Sequence, residues 1–179
     1  GRHDVTLVTQ LEYQRALAAE LGADRALITG RAADEELARV SGTRFTPGII
    51  GKPHPSGGFE TVYDCVGAPA SVAQGLRWTR EKGTFVLIGN AARMNLDLSF
   101  VWSKELRVQG SLGYGLDARG DEKAHTYAWL MKFYPKVAAQ AEKMITHTYP
   151  IARYQEAVRM AVDRSGANSV KVLFEGGPA

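Results

Sequence analysis

Apolar and β-branched residues run unbroken through "VTLVT" (5–9), the pattern of a strand buried on both faces. From Glu12 to Leu21 the period lengthens. Tyr13, Leu17 and Leu21 recur four apart on one stripe, and Gly22 offers the permissive backbone of a helix stop. "RALI" (25–28) predicts a second short strand, and "DEELARV" (34–40) a second helix whose leading acids suit its dipole. "SGTRFTPGIIGKPHPSGG" (41–58) breaks the rhythm, and its glycines and prolines predict an irregular surface excursion. The alternation then resumes. "FETVYDCVG" (59–67) reads as a strand, "PASVAQGLRWTR" (69–80) as a helix with proline at a tolerated first position, and "GTFVLIGN" (83–90) as a strand.

"LRVQGSLGYG" (106–115) predicts a further strand, and "DEKAHTYAWLMKFYPKVAAQ" (121–140) a helical stretch interrupted near Pro135. The tail changes character: a strand in "MITHTYPI" (144–151), an amphipathic helix in "ARYQEAVRMAVDR" (152–164) and a closing strand in "SVKVLF" (169–174). Strands separated by helices predict an α/β fold with a parallel, doubly wound sheet. No internal repeat or low-complexity segment interrupts that reading.

Composition narrows the class. The chain has 179 residues, 45% hydrophobic and 23% charged, which suits a soluble globular protein able to bury a core without staples. No apolar run approaches a membrane span. A single cysteine excludes an internal disulfide framework, and a reducing cytoplasm is the expected compartment. The net charge of +3 is spread over interleaved acids and bases, with no basic run of the kind a nucleic-acid surface needs. The chain starts at Gly1, so a partial reading frame is expected.

Ligands of open α/β sheets bind beyond the carboxyl ends of the strands. Here those ends are Thr9-Gln10, Cys65-Val66-Gly67, Ile88-Gly89-Asn90 and Ser111-Leu112-Gly113. Three of the four carry glycine, which either makes the turn or lets a ligand approach the backbone. Their recurrence favours a ligand.

"AAELGAD" after the opening strand, "FETVYDCVG" before a helix, "REKGTFVLIGN", "ELRVQGS" and the closing "ITHTYPIARYQEAVRMA…KVLF" resemble the medium-chain dehydrogenase/reductase superfamily. These are the zinc-type alcohol dehydrogenases and quinone reductases. The resemblance implies a partial Rossmann fold over 1–143, from its second strand onward. It assigns 144–179 to a strand-helix-strand segment of the GroES-like catalytic domain. The family's glycine-rich turn, which seats the pyrophosphate on a helix amino-terminus, precedes the opening strand and is not in this sequence. Neither is the amino-terminal domain with its zinc ligands. Cys65 cannot form a zinc site alone, and His3, His54, His125 and His147 show no ligand spacing, so no zinc is expected on this chain, and whether the complete protein carries it stays open. His147 is expected on a strand, solvated or packed.

The family's ribose-binding acid falls on Thr9, beside Gln10. Neither is acidic, and Arg15 lies in the first turns of the next helix, which tilts the cofactor within NAD(P) toward NADP. Glu12 can still bend back to a ribose. By the resemblance, Cys65, Val66 and Gly67 contact adenosine and ribose, Ile88, Gly89 and Asn90 lie near the nicotinamide, and Ser111 and Leu112 line its carboxamide side. Cys65 is expected as a buried, packing thiol rather than a reactive one, and Asp64 as a structural hydrogen bonder rather than a general base. No catalytic residue is assigned. "GYG" (113–115) and Trp102 are candidates for a substrate pocket, and equally for turn and core.

The resemblance implies an oxidoreductase passing hydride between nicotinamide and a small alcohol or carbonyl substrate. Alternatives are a zinc-independent quinone or enoyl reductase and a non-catalytic nucleotide-binding or assembly module. No nucleic acid or membrane partner is expected. Family dimers join their sheets through the strand matching "LRVQGSLG", which implies a homodimer through residues 107–113.

Overall fold

The computed structural model of the chain describes residues 3–46 and 54–176. β1 (Thr6–Thr9) leads into α1 (Glu12–Glu20), β2 (Arg25–Ile28) and α2 (Arg31–Ser41). β3 (Arg44–Thr46) and β4 (His54–Ser56) precede β5 (Phe59–Asp64), α3 (Pro69–Trp78), β6 (Thr79–Leu87), α4 (Ser99–Ser103) and β7 (Arg107–Gly110). β8 (Leu116–Arg119) and β9 (Glu122–His125) run into α5 (Thr126–Lys143). The tail holds β10 (Ile145–Tyr149), a 3-10 turn, α6 (Tyr154–Val162), α7 (Arg164–Ala167) and β11 (Lys171–Phe174). The chain divides into two compact units, residues 1–30 with 114–179, and residues 31–113.

In the unit of residues 31–113, β5, β6 and β7 form a parallel sheet in that order, with Asp64, Leu87 and Gly110 paired across its carboxyl end. Val72 and Leu76 of α3 pack on Phe85, which is 1% exposed, and Val62, Leu87, Phe100, Val101 and Leu106 close around them. Gly75 makes this contact feasible. A Cβ there would stand 2.3 Å from the Phe85 ring. α3 ends earlier than its pattern predicts, because Thr79 leaves the helix as the first residue of β6. Its buried hydroxyl still donates to the Gly75 carbonyl at 2.7 Å. The segment expected as irregular contains an antiparallel pairing, Arg44 to Ser56 through Thr46 to His54; the connecting residues lie outside the described ones.

In the other unit β1 and β2 are parallel, from Thr6 with Arg25 to Thr9 with Ile28. Leu7 and Val8 are each 37% exposed, so β1 is not buried on both faces as its pattern predicts; a two-stranded ribbon carrying one helix cannot cover both. The Tyr13–Leu17–Leu21 stripe is half-buried as expected, with Ala18 buried beside it. The Tyr13 hydroxyl donates to the Ser169 carbonyl at 2.9 Å and ties α1 to the residues before β11. Residues 122–125, expected as helix, form an antiparallel pair with β8 across the two-residue turn Gly120-Asp121, where Gly120 takes φ 61°. α5 then runs unbroken through Pro135. Met131 is exposed, so the carbonyl that Pro135 leaves without a donor can be hydrated. β10 and β11 pair in parallel around α6, the strand-helix-strand tail that its sequence predicts.

The sheet is nevertheless not the single one expected. Among the described residues β1 pairs only with β2, and β5 only with β6.

One interaction had no sequence signal. Lys104, 1% exposed, donates from Nζ to the carbonyls of Arg77 and Thr79, each at 2.8 Å, and of Gly57 at 3.5 Å. It thereby binds the end of α3, the start of β6 and the turn before β5. Burial pushes its ammonium down to about 8; Glu81 opposes that shift and Arg77 adds to it. The unfolded chain therefore holds this proton up to about pH 10 while the folded chain releases it near 8. Lys104 thus makes stability rise with pH across that window. Lys104→Met, which keeps the stem and strips the carbonyls of their donor, should cost about 1–3 kcal/mol at pH 7 in urea unfolding. It should also flatten the wild-type rise in stability between pH 8 and 10.

Candidate functional site

The carboxyl ends of β5, β6 and β7 meet in register. The Asp64 carbonyl accepts from the N–H groups of Ile88 and Gly89 at 2.8 and 2.9 Å, and the Leu87 carbonyl from Ser111 N–H at 2.9 Å. Each strand thereby carries the next one step past its last paired residue. Asp64 is 5% exposed, and its Oδ1 accepts from the N–H groups of Val66 and Gly67 at 2.7 and 2.8 Å. It is a turn-holding hydrogen bonder, as expected. Its Oδ2 is buried with no hydrogen-bond partner among the described residues.

The structure brings residues 65–67 against 88–90. A Cβ on Gly89 would fall 2.3 Å from Gly67 N and Val66 C, and one on Gly67, at φ 77°, would fall 2.7 Å from the Asn90 carbonyl carbon. Both glycines thus make room for the neighbouring turn. Gly113 has nothing within 4 Å of its Cβ position, and Gly110 and Gly115 beside it are equally open. The strand ends show apolar side chains to solvent, Val66 67%, Ile88 46% and Leu112 99% exposed, among polar ones. Cys65 is also exposed, against the expectation of a buried thiol. β5 ends by turning Asp64 inward, and the next residue goes outward. Partial burial and the Asp64 charge push the thiol up, which disfavours its thiolate. Asn90 and Ser111 are exposed, and Trp102, at 83%, is not a core residue.

Thr9, Gln10 and Arg15 belong to the other unit, at the end of β1 and the start of α1. Gln10 is exposed, whereas Thr9 is 9% exposed. Its hydroxyl donates to Gln14 Oε1 at 2.6 Å and accepts from Leu11 N–H at 3.2 Å. Arg15 does not stand free. Its Nε lies 2.8 and 2.9 Å from the two carboxylate oxygens of Glu12, and its terminal nitrogen also meets Oε1. The hydrogen bond with Arg15 holds the Glu12 carboxyl below its usual range and raises Arg15. Sequence reading passed over both partnerships, although a glutamate three residues before an arginine on a helix is a signal for the second.

The histidines do not gather. His54 Nε2 lies 2.8 Å from Ser103 Oγ, His125 caps α5 by accepting from Tyr127 N–H at 3.3 Å, and His147 sits on β10 beside Thr146. Among the described residues no group of three or more His, Cys, Asp or Glu side chains could hold a metal ion.

Comparison with known proteins places these strand ends in context. The family described as zinc-binding dehydrogenase matches residues 1–133. The D-arabitol-phosphate dehydrogenase of Enterococcus avium is 29% identical over 97% of this chain and 44% of its own length. The sorbitol dehydrogenase of Mus musculus is 26% identical over 96% of this chain and 43% of its own. Two solved structures share the fold. A short chain alcohol dehydrogenase from E. coli complexed with NADH has TM-score 0.68 at 18% identity, over 94% of this chain and 43% of that one. A zinc-binding dehydrogenase from Sinorhizobium meliloti 1021 bound to NADP has TM-score 0.61 at 22% identity, over 98% and 46%. The chain spans less than half the length of each.

The contact between turns yields a sharp expectation. Gly89→Ala drives a methyl group into backbone and should cost about 1–3 kcal/mol or more in urea unfolding. Asp64→Asn, which keeps the Oδ1 acceptor, should cost less than Asp64→Ala, which releases both N–H groups.

Proposed function

The chain belongs to the zinc-binding dehydrogenase family, and on that premise we propose that it forms the cofactor-binding part of an NAD(P)-dependent oxidoreductase. That enzyme passes hydride between nicotinamide and the hydroxyl-bearing carbon of an alcohol or polyol. The observation that carries this reading is the row of parallel strand ends presenting Val66, Ile88 and Leu112 to solvent above a turn held by Asp64. Flat heterocycles pack on such apolar side chains, and the main chain of 65–67 and 88–90 supplies hydrogen-bond groups beside them. The residues fit a dinucleotide. Within the unit of residues 31–113, Val66 and Ile88 would take its rings and Ser111 its carboxamide. Bound nicotinamide supplies the hydride acceptor. The chain's own part is to bind, to orient and to keep water from that ring. The described residues do not fit zinc. The polyol names of the relatives support the substrate class. Among the described residues no helix is long and apolar enough to cross a membrane, and we take the cytoplasm as the compartment.

Dinucleotide affinity in this fold rests heavily on backbone N–H groups of a glycine-rich turn that this sequence does not contain. Each charge-assisted hydrogen bond is worth about 1.5–3 kcal/mol, and about 1.4 kcal/mol is one tenfold step. Residues 1–179 alone should therefore bind NADH or NADPH no tighter than millimolar and oxidise no alcohol. A complete polypeptide carrying them should bind tightly and turn over alcohols or polyols. Calorimetric titration of both, with an alcohol and quinone panel, makes the test. Tight binding by 1–179 would show the turn to be dispensable, and a complete polypeptide indifferent to both cofactors would overturn the oxidoreductase reading.

The same reading includes a homodimer through residues 107–113. β7 is an edge of its sheet, and Val108 is 53% exposed on it. The complete protein should sediment as a dimer at micromolar concentration, and Val108→Lys should weaken that dimer. A monomeric wild type would count against it.

A further inference from the structure

We propose that Arg93, in the connection between β6 and α4, fixes the substrate class. Its guanidinium takes an oxyanion, carboxylate or phosphate, at the far end of the alcohol or polyol that is oxidised. The inference rests on the reading of residues 65–67 and 88–90 as the cofactor's strand ends and deepens it. All of these residues belong to the unit of residues 31–113.

The connection is irregular yet held. Ile88 and Gly89 N–H donate to the Asp64 carbonyl at its start, and Asp97 Oδ1 accepts from Ser99 N–H at 2.9 Å at its end. Between them Met94 and Leu96 pack half-buried on the Val72–Leu76–Phe85 core. With 94 and 96 pinned there, the alternate residues Arg93, Asn95 and Asp97 stay exposed.

Charge sets Arg93 apart. The segments beyond the carboxyl ends of β5, β6 and β7, residues 65–68, 88–98 and 111–113, carry two charged side chains, Arg93 and Asp97. Asp97 already accepts from Ser99. Arg93 makes no hydrogen bond or ion pair among the described residues, whereas Arg31, Arg39 and Arg80 of the same unit each meet a glutamate. A guanidinium with its donors uncommitted offers the fork that grips a carboxylate or phosphate through two parallel bonds. A recess of about 530 Å³, open to solvent, is lined by Arg93, Met94 and Asn95. Small-molecule ligands fill clefts of roughly 300–1,000 Å³. The Asn95 amide both donates and accepts, as a polyol hydroxyl requires of its partner. Arg93 stands three residues after Asn90, so their Cα atoms are at most about 11 Å apart. An oxyanion a few carbons from the carbon that faces nicotinamide is then within its reach.

The test uses the complete polypeptide holding reduced cofactor, so that an alcohol binds without being oxidised. Pentitols and hexitols, their terminal phosphates and the corresponding aldonates are titrated calorimetrically into the wild type, Arg93→Gln and Arg93→Lys. The kcat/KM values of the same panel with oxidised cofactor are the second readout, and the phosphate and aldonate arms tell the two oxyanions apart. The wild type should bind an anionic member about ten- to a hundredfold more tightly than its neutral parent. Arg93→Gln should abolish that ratio, and Arg93→Lys, which keeps the charge and loses the fork, should restore part of it. A wild type indifferent to the oxyanion that still oxidises neutral polyols would overturn this inference and leave the oxidoreductase reading standing. An anionic preference surviving in Arg93→Gln would overturn the role of Arg93. An equal fall in NADH or NADPH affinity in Arg93→Gln would give the guanidinium to a cofactor phosphate and overturn its role toward substrate. Neither binding nor turnover of any member would overturn both readings together.

Discussion

Where the turn after β5 meets the turn after β6, backbone lies on backbone with no room for a side chain. Gly67 and Gly89 face each other's main chain, and Asp64 holds the first turn in shape through two N–H groups. Everything proposed for the strand ends depends on this contact. It sets residues 65–67 and 88–90 side by side, and it leaves the apolar Val66 and Ile88 nowhere to go but outward. Beneath it the Phe85 ring, seated over Gly75, fixes how closely α3 approaches the sheet.

The contact also changes what glycine means here. Glycine at successive strand ends suggests close approach by a ligand, but the space at positions 67 and 89 is taken by the neighbouring turn. The two ideas are compatible, since a turn packed this tightly cannot shift to suit its ligand. Rigidity of that kind limits the ordering cost of binding. Lys104 performs a comparable service at the opposite end of β6, where one ammonium gathers three carbonyls from the turn before β5, the end of α3 and the start of β6.

Charge near the end of β1 is similarly self-contained. Thr9 is satisfied by Gln14, and Arg15 by Glu12. That explains why reading Arg15 alone overstates its pull on a phosphate.

Local pattern by itself determined much of this protein. The β-branched runs of β1, β5 and β6 and the four-residue spacing of α1 are short-range signals of period, as is the strand-helix-strand tail. The order of those blocks sufficed for the family. Asp64 was legible as a structural residue because an acid at the end of an apolar strand has few other uses. What only the tertiary structure decided involves partners distant in sequence or surfaces that depend on neighbours. The strand pair 122–125 was lost to a helical reading because the two-residue turn Gly120-Asp121 is marked by its pairing rather than its period. The exposure of Cys65 followed from which way Asp64 faced, and the separate pairings β1–β2 and β5–β6–β7 from hydrogen bonds that no local pattern encodes. Lys104, 47 residues from Gly57, shows the limit most plainly: a buried ammonium is specified by the carbonyls that converge on it, and those exist only once the chain has folded.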